Sequence, residues 1–338
     1  MVKLHTASSL NCWHRCQQLY HYKYELGYRS SATIPAFLIG TAVHVGLEHF
    51  WKGDSLQDAL IRTKEYMSSE PYFSEDGWIE KLRVQAYVTG YYSRWLNDRD
   101  LYEVVGVEHE FTTTWKEQEM AGKLDVLVRR KSDGKLTIIE HKTASKFAKA
   151  DEPDSPYWQK LSMDTQLCFY VCNIDRIYGE IPEVIYDVIV KSRSTPLKGK
   201  ARKRKDESDA AFAQRKAEGA ETRGEYLARV KEAYINEGHE RYLRKTIHLT
   251  VEEINRKMDE LDTAIGDIRK VHDEWSEVSE NDGYWTQKQI RIRNTTACMG
   301  MGSTCEFLGV CTGVEQLDDP KFEKKEKLHS ELTIKETQ

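Results

Sequence analysis

No run of eighteen apolar residues occurs in the sequence, which excludes an ordinary membrane-spanning helix. The opening stretch, MVKLHTASSLNCWHRC, has no apolar signal-peptide core, and a cytoplasmic location is therefore expected. There is no GxxxxGK(S/T), so the phosphate-cradling loop of ATP-driven enzymes is missing. Neither sign of charge prevails. The 50 Lys and Arg against 55 Asp and Glu leave a net charge of −5, which gives no whole-protein attraction to nucleic acid. Only a local concentration of basic residues can supply one. Cysteine is present, but its count of seven is odd. Without a secretory signal this argues against a disulfide framework and leaves metal binding or simple burial. No internal repeat is visible.

The 338 residues are 39% apolar and 31% charged, with eight Trp and 18 Tyr, which marks a folded chain of one large or two modest domains. Residues 7–26 read as a helix with Ser8 or Ser9 as N-cap and Trp13, Leu19, Tyr20 and Tyr24 on its aromatic face. Pro35 opens a second helix over 36–52, and Gly53 ends it. Helical patterns follow at 55–69 and 78–98. Segments 103–115, 119–131 and 135–143 are rich in Val, Ile, Thr and Leu, as strands are. A helix fits 157–177, and VIYDVIV within 183–191 reads as a strand. This order predicts an α/β (α+β) core with a central mixed sheet flanked by helices, within residues 1–195. Residues 196–245 read as a charged, partly helical insertion. A long amphipathic helix, with Ile254, Met258, Leu261, Ile265 and Ile268 in phase, and a Gly/Cys-rich segment fill 246–313. The charged tail 314–338 is expected to be disordered.

The stretch 121–146, AGKLDVLVRRKSDGKLTIIEHKTASK, sets two carboxylates and a lysine inside apolar strands. Asp133-Gly134 marks a hairpin turn. A loop of two or four residues there pairs Asp125 with Lys142 and Leu127 with Glu140, and puts Asp125, Glu140 and Lys142 on one face. Adjacent carboxylates resist joint ionisation unless a cation lies between them, and oxygen ligands favour Mg²⁺ or Mn²⁺. A lysine beside such a cation can hold a water or stabilise developing negative charge. A short D…ExK is common, however, and by itself more often means a cross-strand ion pair. Helix 36–52 adds GTAVHVGLE, whose Gly40, His44 and Glu48 face one way, with His44 a candidate imidazole ligand. QLCFY adds Gln166 and Tyr170, one helical turn apart.

The ordered set GxxxHxxxE, GxxD, ExK and QxxxY resembles the RecB-like nucleases of the PD-(D/E)XK superfamily. The resemblance implies a restriction-endonuclease-like core and metal-dependent hydrolysis of DNA phosphodiesters. By it, His44, Asp125, Glu140 and the backbone carbonyl of His141 would hold Mg²⁺ or Mn²⁺. Lys142 would orient or activate the attacking water, and Gln166 and Tyr170 would shape the site and contact the DNA backbone. Leu124 stands where the superfamily's name has proline, as in the GxxD pattern of RecB-like members.

Three cysteines fall in CMGMGSTCEFLGVC, at 298, 305 and 311, and a fourth is Cys16 or Cys12 near the other end of the chain. Four thiolates hold a 4Fe–4S cluster or Zn²⁺. AddB-type helicase–nuclease subunits and CRISPR-associated relatives clip their nuclease domain with such a cluster. The resemblance favours Cys16, which precedes an aromatic-rich helix, joined with Cys298, Cys305 and Cys311. The family spacing C-x₂-C-x₅-C is C-x₆-C-x₅-C here. Cys168 and Cys172 read as core residues. The run KGKARKRK at 198–205, with Lys203 and Arg204, is either a solvated patch or a phosphate-tracking arm. The expected activity is a free-standing exonuclease on DNA ends or single strands in recombination, repair or phage DNA metabolism. The rival readings are a structure-specific endonuclease and a non-catalytic DNA-binding protein on the same fold.

Overall fold

A computed structural model describes residues 4–333 apart from 32–33, 75–76, 146–154, 200–204, 206, 280–290, 301–302 and 331. The first helix is broken into α1 (Ala7–Arg15), α2 (Gln17–Tyr20) and a π-helical turn over His21–Glu25. Its N-cap is Thr6 rather than Ser8 or Ser9, because the Thr6 hydroxyl accepts from Ser9 N and Ser9 Oγ reciprocates at the Thr6 amide. Cys16 is extended (φ −169°) and makes the break. Next come β1 (Leu4–His5) ahead of α1 and β2 (Tyr28–Ser30) behind it. Helices α3 (Pro35–Trp51), α4 (Leu56–Ser69), α5 (Trp78–Trp95) and α6 (Asp98–Leu101) lead to β3 (Tyr102–Trp115), β4 (Gln118–Arg130) and β5 (Leu136–Ser145). The helix expected over 157–177 is two, α7 (Pro156–Ser162) and α8 (Thr165–Tyr178), since Asp164 caps α8 by accepting from Gln166 N.

In the central sheet β5 and β1 (the latter at the end remote from β5) lie on one edge of β4 and β3 on the other, and two further strands follow β5. Strand β6 (Glu183–Lys191) lies parallel to β5 and is buried on both faces, as its mainly apolar run, interrupted only by Asp187, requires. Strand β7 (Tyr242–Ile247) closes the edge antiparallel to β6. One face of the sheet packs Val126, Val128, Ile139 and Ile189 under α3, α5 and α10 (Arg223–Asn236). The other packs Leu127, Ile138, Val184 and Val188 under α1, α8 and α12 (Val251–Ser279). Along α12, Met258, Leu261, Ile265 and Ile268 are all buried, as their phase implies.

Two expectations are corrected. The stretch read as an insertion contributes to the core from 223 onward. Tyr226, Val230 and Tyr234 form a buried stripe of α10, and β7 completes the sheet. Buried tyrosines and a polar edge strand are poorly marked by hydrophobicity alone. Only α9 (Asp209–Glu218) carries no buried residue there, and it leads by α11 (Gly238–Arg241) into β7 after α10. The charged tail is also ordered over most of its length. After β8 (Met299–Gly300), β9 (Ser303–Thr304) and α13 (Leu308–Thr312), β10 (Phe322–Lys324) pairs antiparallel with β2. Leu332 packs with Leu4 and Ala121, and Thr333 binds the Glu110 carboxylate through its amide and hydroxyl, both at 2.8 Å. A few apolar anchors suffice to order a segment of which about half the residues are charged.

Candidate functional site

The hairpin turn spans Arg130–Lys135, with Gly134 in the left-handed region (φ +71°) and Gly134 N donating to Arg130 O. This six-residue loop is longer than expected. It sets Val126 opposite Ile139 and Leu127 opposite Ile138, two residues from the expected register. A shift of two leaves side-chain parity intact.

The ladder between β4 and β5 stops at Val126 and Ile139, while β1 joins β4 only at Glu119 and Met120. Among the described residues, no strand pairs the β4 edge between these points. Asp125 stands at the mouth of this gap. Its Oδ2 accepts from His141 N at 2.7 Å, and its Oδ1 lies 3.2 Å from His44 Nδ1 on α3. On β5, Lys142 Nζ donates to Glu140 Oε1 at 2.8 Å and to Gln166 Oε1 at 2.9 Å. Gln166 Nε2 donates to Tyr170 OH, which donates to Lys123 O, each at 2.9 Å. The QxxxY pair thus fixes the lysine rather than merely flanking it. The glycine of GxxD has a steric reason as well. A Cβ on Gly122 would lie 2.6 Å from the Phe111 ring and 3.0 Å from the Tyr170 ring.

The electrostatics are unusual for a sheet interior. Burial pushes the Glu140 carboxyl upward, the Asp125 charge adds to that, and Lys142 only partly offsets both. Glu140 Oε2 is buried with no hydrogen-bond partner. Asp125 goes the other way: burial works against its ionisation, but His44 beside it holds it well below the usual carboxylate range. Burial works to lower His44, but the charge and hydrogen bond of Asp125 and the charge of Glu140 together push it up to about 9. One carboxylate is therefore charged and the other resists charge, a split that a divalent cation between them would remove.

Behind the site lies a group that the sequence reading passed over. Asp187 of β6 is fully buried and accepts from Tyr91 OH at 2.6 Å and from Arg244 Nη2 at 2.7 Å. Arg244 also binds Asp98 and stacks on Trp95, 3.6 Å from the ring centre. The His141 ring sits against this cluster, with Nδ1 3.6 Å from Asp187 Oδ2. The signal was available: an aspartate in the middle of VIYDVIV is as anomalous as Asp125 or Glu140.

Cys16, Cys298, Cys305 and Cys311 line one cavity of about 130 Å³ together with Leu19, Tyr22 and Phe307. Cys12 is buried, is not among the residues lining the cavity, and has its thiol pushed up to about 12 by burial. None of the seven cysteines is in a disulfide. Burial raises Cys305 and Cys311 above the ordinary thiol range, while Arg15 opposes it at Cys305 and Arg293 at Cys311. The two chain ends are tied around the cavity. Lys23 Nζ donates to Glu306 Oε1 at 2.8 Å, Asn294 Nδ2 to Arg15 O at 2.9 Å, and Ile292 N to Gln17 Oε1 at 2.9 Å. Cys168 and Cys172 lie on the buried face of α8. Lys203 and Arg204 lie outside the described residues.

Residues 5–312 match the family model of the PD-(D/E)XK nuclease superfamily. The chain belongs to this superfamily. Its sheet, with helices on both faces and the carboxylates at the β4–β5 gap, is the corresponding restriction-endonuclease-like fold, and membership implies phosphodiester hydrolysis. Among solved structures, a candidate exonuclease from Eubacterium rectale is similar at 11% identity and a TM-score of 0.49, over 94% of this chain and 90% of that one. The protein SSO0001 is similar at 12% identity and a TM-score of 0.26, over 70% and 77%. No curated protein matches the sequence. No described helix is long and apolar enough to cross a membrane.

Proposed function

We propose that this PD-(D/E)XK protein is a RecB-like, Mg²⁺- or Mn²⁺-dependent exonuclease on DNA with free ends or single strands. The observation that carries the reading is the adjacent buried carboxylates Asp125 and Glu140, with a buried, unpartnered Glu140 oxygen beside Lys142 and His44. These groups fit a hard divalent cation, with His44, Asp125, Glu140 and the His141 carbonyl as its ligands. A cation bound there lowers the pKa of a water and offsets charge on the scissile phosphate. Asp125 holds the β5 backbone through His141 N, so the ligand it supplies is fixed to the strand that carries Glu140. Lys142, held by Glu140 and Gln166, directs its remaining N–H at the attacking water and at charge developing on the phosphate. Gln166 and Tyr170 keep that ammonium in place and border the path of the DNA backbone.

The test is purified protein with Mn²⁺ on end-labelled linear and closed circular DNA, beside Asp125→Ala. Degradation of linear DNA alone, lost in the variant, is expected. Cleavage of closed circles would point to an endonuclease, and undiminished activity of Asp125→Ala would sink the assignment of the site.

The second cofactor in this reading is a 4Fe–4S cluster on Cys16, Cys298, Cys305 and Cys311. Four thiols, an apolar lining and two nearby arginines suit an anionic sulfur cluster. The cavity volume of about 130 Å³ is roughly ten times the ~10–15 Å³ that admits one water, and so exceeds the need of a single ion. Protein purified without oxygen should absorb near ~400 nm and carry about four irons. Colourless protein with stoichiometric zinc would replace the cluster by Zn²⁺.

A further inference from the structure

A third carboxylate faces the gap, on the strand opposite to β5. The β3–β4 register pairs Val107 with Val126 and His109 with Leu124, which brackets Glu108 directly across from Asp125. Just before it, the register shifts between Val104 and Gly106, and Glu108 itself takes a left-handed backbone (φ +47°). Its carboxylate, His44 and Asp125 each place one ligand atom within 4.8 Å of the other two. The acceptor set is therefore one imidazole and two carboxylates from three separate elements, α3, β3 and β4. In this structure Glu108 Oε2 is 2.6 Å from Lys123 Nζ.

We infer that Glu108 is a further ligand of the catalytic cation bound by His44 and Asp125, and that Lys123 is its competing partner. Cation binding draws Glu108 from Lys123 to the metal, so the ammonium and the divalent ion exclude one another at this carboxylate. The inference rests on the reading of His44 and Asp125 as cation ligands. It adds an arm from β3, which ties the metal to both strands flanking Asp125.

Two variants separate this role from a structural ion pair. Mn²⁺ binding to the full-length protein is measured by calorimetry for wild type, Glu108→Gln and Lys123→Met, with cleavage of linear DNA followed in parallel. Glu108→Gln should weaken Mn²⁺ binding at least about tenfold. Lys123→Met should tighten it, because the competing cation is gone. A purely structural pair predicts that both variants change Mn²⁺ affinity alike or not at all, and either result overturns the inference. If wild type binds Mn²⁺ and cuts DNA while Glu108→Gln binds it equally well, the inference fails and the nuclease reading stands. If wild type binds no Mn²⁺ and cuts nothing, both fail. Should Glu108→Gln not fold, the sign of the Lys123→Met effect still decides.

Discussion

The carboxylate gap and the thiol cavity solve a similar problem in different parts of the fold. Each gathers potential anions from distant sequence positions and buries them where charge is costly. At the gap the scaffold is the sheet. Asp125 and Glu140 sit on strands held by flanking ladders, and hydrogen bonds through His141 N, Lys142 and Gln166 fix them. At the cavity the scaffold is the two ends of the chain. Cys16 lies at a helix break and Cys305 and Cys311 near short segments, joined by the short β2–β10 pair and by side-chain contacts such as Lys23 with Glu306. A catalytic cation is therefore expected to matter for chemistry and little for folding. A cofactor in the cavity is expected to matter for folding first.

Three substitutions sharpen or break this contrast. Cys311→Ser should have the largest effect on stability. It removes one of the four cavity thiols, so absorption near ~400 nm should be lost and stability should fall by several kcal/mol. A variant that keeps both colour and melting temperature would remove Cys311 from the proposed ligand set. Arg244→Met probes the sheet side, where rigidity comes from protein groups alone. It leaves Asp187 buried without its guanidinium, at a cost of about 3–5 kcal/mol by denaturant unfolding. A loss below ~1 kcal/mol would mean that Tyr91 alone satisfies the buried aspartate.

The smallest effect is a pH dependence in the terminal region. Burial lowers His5 to about 4 against an ordinary value of 6.5, partly opposed by its contact with Gln118. Between these values the unfolded chain binds the proton and the folded chain does not. Stability from this residue is therefore complete above pH 6.5 and is lost as the pH falls toward 4, by up to about 3 kcal/mol. His5→Gln should flatten part of that acid-side slope in thermal unfolding, and an unchanged slope would assign it to other groups.

Much of the site could be read from the sequence because charge inside apolar strands is conspicuous. Asp125, Glu140 and Lys142 stand out for that reason, and His44, Gln166 and Tyr170 follow from helical spacing. The register did not follow, because the Asp133-Gly134 signal marks a turn without giving its length, and the loop has six residues rather than two or four. Asp187 carried the same cue and was passed over as part of an ordinary strand. Glu108 was hidden for another reason. Its place depends on a register shift in β3, which strand alternation does not encode. Strand β7 and the tail beyond residue 314 were misread because tertiary anchors, Tyr242 in one and Phe322 and Leu332 in the other, outweigh a polar composition.

The central claim is that the charges of the β4–β5 gap perform cation-dependent DNA hydrolysis on a scaffold that does not need them. Lys142→Ala tests it most directly. The substitution removes the ammonium that partly offsets the raised Glu140, which can then keep its proton, so the fold should survive. On end-labelled linear DNA with Mn²⁺, the rate should fall by about a hundred- to a thousandfold at an unchanged melting temperature. A Lys142→Ala protein that cuts DNA at the wild-type rate would contradict the account.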